Sequence, residues 1–492
     1  MIKSIKTKSV LLFLNLLALF VSFILNRAGV LGPTQGMFVI TVVMASSWIL
    51  ELLPLGATAL IPLVAFPLLG IMSTKSVAPI YMGSIIWLFI GGFLVAEAMQ
   101  RWQLHKRLAL NIIGLFGGGA SGLLLGFMCA TGFLSMWISN TASTVLMVSM
   151  GLAIIKNYEE TDNIDPVDSR AFSSALMLGT AYSATIGGMA TIVGTPPNLA
   201  FSRIYALSFP GAEEITFTSW MSFGFPLAVI LIFLSWFFLN RYFLKGKKIE
   251  TLGKDLIENE KNKLGKLKSE EKLVMIVFLL MAFLWIFRKT ISIGNFSIPG
   301  WSTLIPGAGM VDDGTVAIFC ALLLFILPSQ SQPETRILNS SAFKTIPWET
   351  IILFGGGFAL AKGIVVSGLS VSLGSQFAGL ASLPEWAMVG GLTFGMSLLT
   401  EITSNIASTE MLLPILAAIA KSTGVPPTLL MIPATLAASC AFMLPAATAP
   451  NAIVFGSSRV NITDMVKVGL MINIVSVVLI TIISLFLFPN FS

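Results

Sequence analysis

From Leu108 to Ile155 the chain carries no charged side chain, and it is uncharged again from Ala171 to Ser202 and from Ser422 to Ser458. Uninterrupted apolar runs of this length have no counterpart in a soluble domain, which would need charge on the outward face of every helix. Only 11% of the residues are charged against 55% apolar, and the mean hydropathy is +0.90, so no polar shell is available to cover such runs. The chain is therefore an all-α polytopic membrane protein, because in lipid the backbone must satisfy its own hydrogen bonds. Its 43 Gly and 23 Pro fit that class, where both are tolerated inside spans and mark broken helices.

The opening run Val10–Asn26 follows Lys3, Lys6 and Lys8 but has no small-x-small cleavage site, and it reads as a retained first span. Net charge is +6, which in a membrane chain reports orientation rather than nucleic-acid binding. The most polar stretch, Arg241–Lys272, holds ten basic and six acidic residues and divides the chain. The expected organisation is a first half over 1–240, a cytoplasmic linker over 241–272 and a second half over 273–492. The N-terminus lies on the same cytoplasmic side. Pro54, Pro62 and Pro67 interrupt the segment after the second span, and Leu108–Phe133 is long enough to cross as one helix. Cys129, Cys320 and Cys440 lie in apolar segments without metal-like spacing. The one histidine, His105, sits at a membrane boundary, so a histidine-based intramembrane enzyme is excluded.

Two short segments stand out from this background. Ser135-Met136-Trp137-Ile138-Ser139-Asn140-Thr141 and Thr400-Glu401-Ile402-Thr403-Ser404-Asn405-Ile406 are 265 residues apart, and each sets a hydroxyl four residues before Ser-Asn. Phe89-Ile90-Gly91-Gly92-Phe93 and Phe354-Gly355-Gly356-Gly357-Phe358 match at the same offset. Downstream, Thr195-Pro196-Pro197-Asn198 resembles Thr448-Ala449-Pro450-Asn451 at an offset of 253. Three matches in one order indicate an internal duplication, with one loop shorter in the second half, and prolines that force the backbone open near each copy.

Hydroxyl and amide oxygens are neutral hard ligands suited to Na⁺, and carbonyls freed at helix breaks add more. The N–H groups of a half-helix start attract an anion. If the backbone is helical there, Ser135 with Ser139 and Thr400 with Ser404 share a face. Glu401 and Glu410 have no acidic counterpart in the first half; proton carriers, gate residues and boundary charges are the readings open to them, with a boundary or packing role preferred. Lys362, after a glycine-rich segment, is placed either to attract an anion or to partner Glu401.

These paired motifs, with Gly194-Thr195-Pro196-Pro197-Asn198 downstream, resemble the divalent anion:Na⁺ symporter family over nearly the whole chain. The resemblance implies about eleven transmembrane segments plus two re-entrant hairpins, here near 85–107 and near 346–384, in two inverted repeats. It implies a homodimer in the bacterial inner membrane, each protomer with a scaffold and a transport domain that moves as an elevator among the lipids. The implied Na⁺ ligands are Ser135, Ser139, Asn140 and the backbone at Gly194 for one site. For the other they are Thr400, Asn405, the backbone near Ala407, and Ala447. The implied substrate contacts are Ser139, Asn140, Thr141, Thr195, Ser404, Asn405, Ile406 and Thr448, with Ile406 departing from the threonine found in many bacterial members. The expected activity is Na⁺-coupled transport of a small di- or tricarboxylate anion. A Na⁺-independent dicarboxylate or citrate/succinate exchange on the same fold, and sulfate transport, stand as alternatives.

Overall fold

In the computed structural model the chain is described over residues 2–116, 119–160, 165–246, 254–293, 296–332, 334–377, 379 and 383–487. It is helical almost throughout. The first half begins with α1 (Ile2–Arg27) and α2 (Pro33–Ile49), then the short pieces α3 (Leu55–Thr58), α4 (Ile61–Leu68) and α5 (Thr74–Val77). Proline explains the fragmentation. Pro54 caps α3, Pro62 occupies the first turn of α4 and Pro67 lies inside it. A 3-10 turn, Ala78–Met82, leads into α6 (Ser84–Arg101), followed by α7 (Leu104–Ile113), α8 (Ala120–Ser135), α9 (Asn140–Glu159), α10 (Pro166–Met189), α11 (Pro196–Ser208) and α12 (Phe217–Leu239). The run Leu108–Phe133 is thus not one crossing helix. The helix α7 ends at Ile113, the backbone turns over 114–116, and the next helix starts at Ala120.

The second half contains α13 (Lys254–Leu264), α14 (Ser269–Ile286), α15 (Asp313–Ile326), α16 (Trp348–Val366), α17 (Leu369–Gln376), α18 (Glu385–Ile402), α19 (Asn405–Thr423), α20 (Pro427–Ala438), α21 (Ala449–Gly456) and α22 (Ile462–Leu487). The polar connection between α14 and α15 carries a small antiparallel ribbon pairing Ile291–Ile293 with Phe296–Ile298. Among the described residues, six helical stretches are long and apolar enough to cross a membrane: Thr7–Arg27, Thr74–Arg101, Phe217–Leu244, Trp348–Val366, Asn405–Thr423 and Ile462–Leu487. Other apolar helices are shorter.

Helix starts reproduce the sequence repeat. The first residues of α7, α8 and α9 recur 265 residues later as those of α17, α18 and α19. Both segments in which hairpins are expected, near 85–107 and near 346–384, are helix–turn–helix units, α6–α7 and α16–α17. The residue opening each second helix is left-handed, Gln103 at φ 59° and Gly368 at φ 78°, again 265 apart. Glycine takes that conformation without strain, glutamine at some cost.

Contacts between helix ends define two faces. At one face Trp236 on α12 donates to the Ser121 carbonyl on α8, and Arg459 pairs with Glu159 at the end of α9. Tyr242 after α12 bonds Asp464 at the start of α22, and Arg107 on α7 pairs with Glu271 at the start of α14. So α8 begins and α9 ends at the same face, and the turn joining them lies in the interior. At the opposite face Gly390 on α18 packs on Thr481 near the end of α22, and Gly374 on α17 packs on Ser422 near the end of α19. The α18–α19 pair therefore enters from that side.

The opposite face is pinned by one buried ion cluster. Arg288 Nε lies 2.5 Å from Asp313 Oδ1 with both side chains about 95% covered, and Arg288 also bonds Glu214 at 2.7 Å. Asp313 Oδ2 accepts from the Phe217 N–H at 2.8 Å, so one carboxylate joins the end of α14 to the starts of α15 and α12. Removing one partner strands the other charge. Asp313→Ala is expected to lower stability by about 3–5 kcal/mol, read as an earlier thermal unfolding of the detergent-solubilised protein, whereas surface Lys156→Ala should leave it unchanged.

Candidate functional site

The interior turns of the two helix pairs are breaks, built from the same parts. After α8 ends at Ser135, Ser139 is extended and caps α9, its Oγ accepting from Ala142 N–H at 3.2 Å. Ser135 Oγ donates to Asn140 Oδ1 at 2.6 Å. In the second copy α18 ends at Ile402, Ser404 is the cap of α19, and Thr400 Oγ1 lies 2.5 Å from Asn405 Oδ1 and 2.8 Å from the Ala438 carbonyl oxygen. Ser135 and Ser139, or Thr400 and Ser404, do not share a helix face, because the helix stops between them. Each first hydroxyl instead reaches the asparagine five residues on. A hydroxyl has one proton, so the three oxygens around Thr400 hold one hydrogen between them and keep lone pairs for a cation.

Two further breaks, after α10 and α20, face these turns. Asn198 Nδ2 donates to the carbonyls of Gly188 (3.2 Å) and Thr191 (2.8 Å), and Asn451 Nδ2 donates to those of Ala441 and Leu444, both at 3.0 Å. Each amide satisfies carbonyls that the broken helix leaves without partners. Thr195 and Thr448 cap α11 and α21 in nearly the same extended conformation. Gly188 has no side chain for a specific reason: a Cβ there would lie 2.6 Å from Asn140 Oδ1 and 3.1 Å from the Gly194 carbonyl. Ser135, Asn140 and the Gly194 carbonyl thus gather around a bare Cα.

Glu401 is the main residue whose task the sequence left open. It is buried, with Oε1 accepting from the Phe442 and Met443 N–H groups at 2.8 and 2.9 Å and from Asn473 Nδ2 at 2.7 Å. Its Oε2 accepts from Leu444 N–H at 3.0 Å. It is a packing carboxylate that holds the break after α20, and none of these bonds goes to Lys362, so the suggested pairing of the two does not form. In the first half the corresponding position is Met136, whose carbonyl accepts from Thr191 Oγ1 at 2.6 Å. Neither Thr191 nor Gly188 carried a sequence signal beyond lying close to the Pro-Pro break.

All four breaks open on one cavity of about 1050 Å³, larger than most small-molecule sites. Ser139, Asn140, Thr141, Gly194, Thr195, Ser404, Asn405, Ile406, Ala447 and Thr448 line it. Ser135 and Thr400 are wholly buried behind the lining, each bonded to its asparagine. Ala407 is also buried, with its side chain in the apolar core, leaving its backbone as the group a ligand could meet. The indole of Trp137 stacks on Phe217 and meets Phe278 edge-on, fixing the first turn against α12 and α14.

The electrostatics follow from the caps. The N-terminal ends of α9, α11, α19 and α21 all meet the cavity, and their cap residues Ser139, Thr195, Ser404 and Thr448 are all in its wall. First-turn N–H groups and aligned peptide dipoles make that region favourable to an anion without a permanent charge. The charged residues of the lining are Lys8, Glu51 and Glu401. Lys8 and Glu51 lie with Pro347 and Thr350 toward the face that carries the linker, so the cavity opens there.

Two substitutions test this geometry. Gly188→Ala should displace the Asn140 amide and raise the Na⁺ concentration needed to stabilise the purified protein against heat, with the fold kept by circular dichroism. Glu401→Gln puts an NH₂ against a backbone donor and should cost about 1–3 kcal/mol in thermal unfolding, far more than Glu385→Gln on the exposed start of α18.

Comparison with known proteins agrees with this architecture. The family model described as the sodium:sulfate symporter transmembrane region matches residues 6–489. The sodium-dependent dicarboxylate transporter SdcS of Staphylococcus saprophyticus is 44% identical over 462 residues, covering 92% of this chain and 86% of the relative. The SdcS protein of Staphylococcus aureus strain MRSA252 is 42% identical over 464 residues, covering 93% and 87%. Among solved structures, the YdaH transporter of Alcanivorax borkumensis aligns with a TM-score of 0.52 at 14% identity over 82% of this chain and 85% of its own. The MtrF protein of Neisseria gonorrhoeae aligns with a TM-score of 0.54 at 10% identity over 85% and 84%. These two share the fold alone. A match over nearly the whole length, with relatives above 40% identity, makes this chain a membrane transporter of the sodium:sulfate symporter family, the divalent anion:Na⁺ symporters to which its paired Ser-Asn motifs point.

Proposed function

We propose that this chain carries a small dicarboxylate across the cell (inner) membrane, driven by Na⁺. The observation that carries the reading is the meeting of two Asn-centred oxygen clusters and four capped helix starts on one cavity. One cation is held by Ser135, Ser139, Asn140 and the Gly194 carbonyl, and the other by Thr400, Asn405 and the backbone at Ala407 and Ala447. The anion lies between Ser139-Asn140-Thr141 and Ser404-Asn405-Ile406, with Thr195 and Thr448 on its flanks. Each carboxylate faces two helix starts, and the cations offset its charge, so Na⁺ and anion must raise one another's affinity. The relatives named as sodium-dependent dicarboxylate transporters support the same choice over sulfate or tricarboxylates.

The two halves, 1–240 and 273–492 around the 241–272 linker, are inverted repeats in this reading. The opposite entry of α8–α9 and α18–α19 supports it, as does the opposite run of α12 and α22. The re-entrant pieces are those two pairs, with the α6–α7 and α16–α17 turns delivering the chain to them. About eleven crossings complete the protomer. The basic linker and Lys8 lie on the cavity's open side, which supports a cytoplasmic N-terminus and an inward-open arrangement. Transport follows when α8–α12 and α18–α22 move as a body against the remaining helices, in a homodimer whose fixed helices pair.

Purified protein in liposomes should accumulate succinate with an inward Na⁺ gradient and not with choline in its place. Asn140→Ala and Asn405→Ala should each lower uptake at least ~100-fold while the protein stays folded, because each removes a cation ligand and an anion contact together. Uptake that ignores Na⁺ and requires a preloaded counter-anion would instead establish exchange.

A further inference from the structure

A carboxyl group stands in the apolar interior with no hydrogen-bond partner among the described residues. Glu410 is fully buried, and neither carboxyl oxygen has a hydrogen-bond partner. On α19 it follows Ile406 by four residues, so the two share a face: Ile406 lines the cavity and Glu410 lies one turn deeper. The facing helix is α16, with Thr350 in the cavity wall and Gly357 two turns further on. A Cβ on Gly357 would overlap Glu410 Oε2, so the carboxyl fills the notch that the glycine leaves. The matching positions in the first half are Gly92 and Val145; Val145 is half-exposed, and Gly92 meets Trp285 and Val193 rather than an acid.

Among the described residues the surroundings supply no bonded counter-charge. Of the helices packed on α19, α2, α17 and α20 contain no ionisable side chain. On α16 these are Glu349 and Lys362, and on α11 Arg203 and Tyr205. On α18 they are Glu385 and the fully engaged Glu401, and α19 itself has Lys421. None of them lies within hydrogen-bonding distance of either Glu410 oxygen. An isolated carboxylate in such a place has neither water nor a partner to replace its hydration, and intramembrane acids of this kind mark ion or proton sites.

The notch lies beyond the anion site, on the side away from the cavity mouth, where α16 and α19 seal the passage. We propose, on the basis of the transport reading above, that Glu410 is a proton-binding site of the cycle: the α16–α19 contact closes behind the substrate only when this carboxyl holds a proton. When the contact opens to the outer side, water reaches the group and the proton exchanges with that side. While the cavity faces inward the group stays sealed, so the proton sets the rate of closure and is not delivered with the substrate.

The test is succinate uptake into right-side-out membrane vesicles at saturating Na⁺, with external pH raised from about 7 to about 9, where a dicarboxylate is fully ionised throughout. Uptake by the natural protein should fall with pH, by up to about tenfold per unit. Glu410→Gln should keep Na⁺-driven uptake and show a flat profile, and Glu410→Val, which installs the residue of the matching position, should do the same. Retention of the natural slope by either folded variant would overturn the proposal, as would a flat profile in the natural protein. Loss of uptake in both folded variants would also overturn it, because a neutral side chain is what the closed contact requires. Absence of Na⁺-driven uptake in the natural protein would count against the transport reading itself.

Discussion

A helix that stops in the middle of an apolar protein leaves up to four carbonyls at one end and four N–H groups at the next start with no partner and no water. This chain breaks helices at four such places, and the arrangement stands because each break is held by a side chain chosen for it. Asn198 and Asn451 donate to the carbonyls of the breaks after α10 and α20, and Glu401 accepts from three N–H groups of the latter. Thr191 ties the first break to the Met136 carbonyl of the turn between α8 and α9. The helix starts and the Asn-centred oxygens beside them face the cavity. The groups that a soluble protein would leave to solvent become the site.

The duplication explains why such a site suits a cation–anion pair. Each half contributes one Asn-centred oxygen cluster and two capped helix starts, so the two halves present similar surfaces to the cavity. The copies are not identical, and their differences fall where one half solves a packing problem differently. Met136 and Thr191 do in the first half what Glu401 and Asn473 do in the second. Thr141 in one copy and Ile406 in the other both line the cavity, one hydroxylated and one aliphatic.

Most of the residues gathered on the cavity were readable from the sequence, because Ser-Asn pairs and Pro-interrupted segments recurring at fixed offsets carry their own explanation. The membrane class, the repeat and the cavity-lining members of both clusters needed no structure to find. Helix faces were less accessible. The four-residue spacing of Ser135 and Ser139 looks helical, yet the chain breaks between them, since Asn140 can bond Ser135 only across a break. Leu108–Phe133 reads as one span by composition, yet α7 ends at Ile113 and the chain turns at Gly114 before α8 begins. Tasks that depend on distant partners were invisible. Glu401 is a packing residue because Asn473 and the 442–444 backbone are brought to it from far along the chain.

The central claim is that neutral oxygens and helix starts hold cations and a dianion side by side, so that neither binds well alone. Calorimetric titration of the purified protein with succinate at several Na⁺ concentrations tests this most directly. Affinity for succinate should rise with Na⁺ more steeply than the first power of its concentration, with succinate raising the Na⁺ affinity by the same factor. Equal succinate affinity in Na⁺ and in choline would contradict the account.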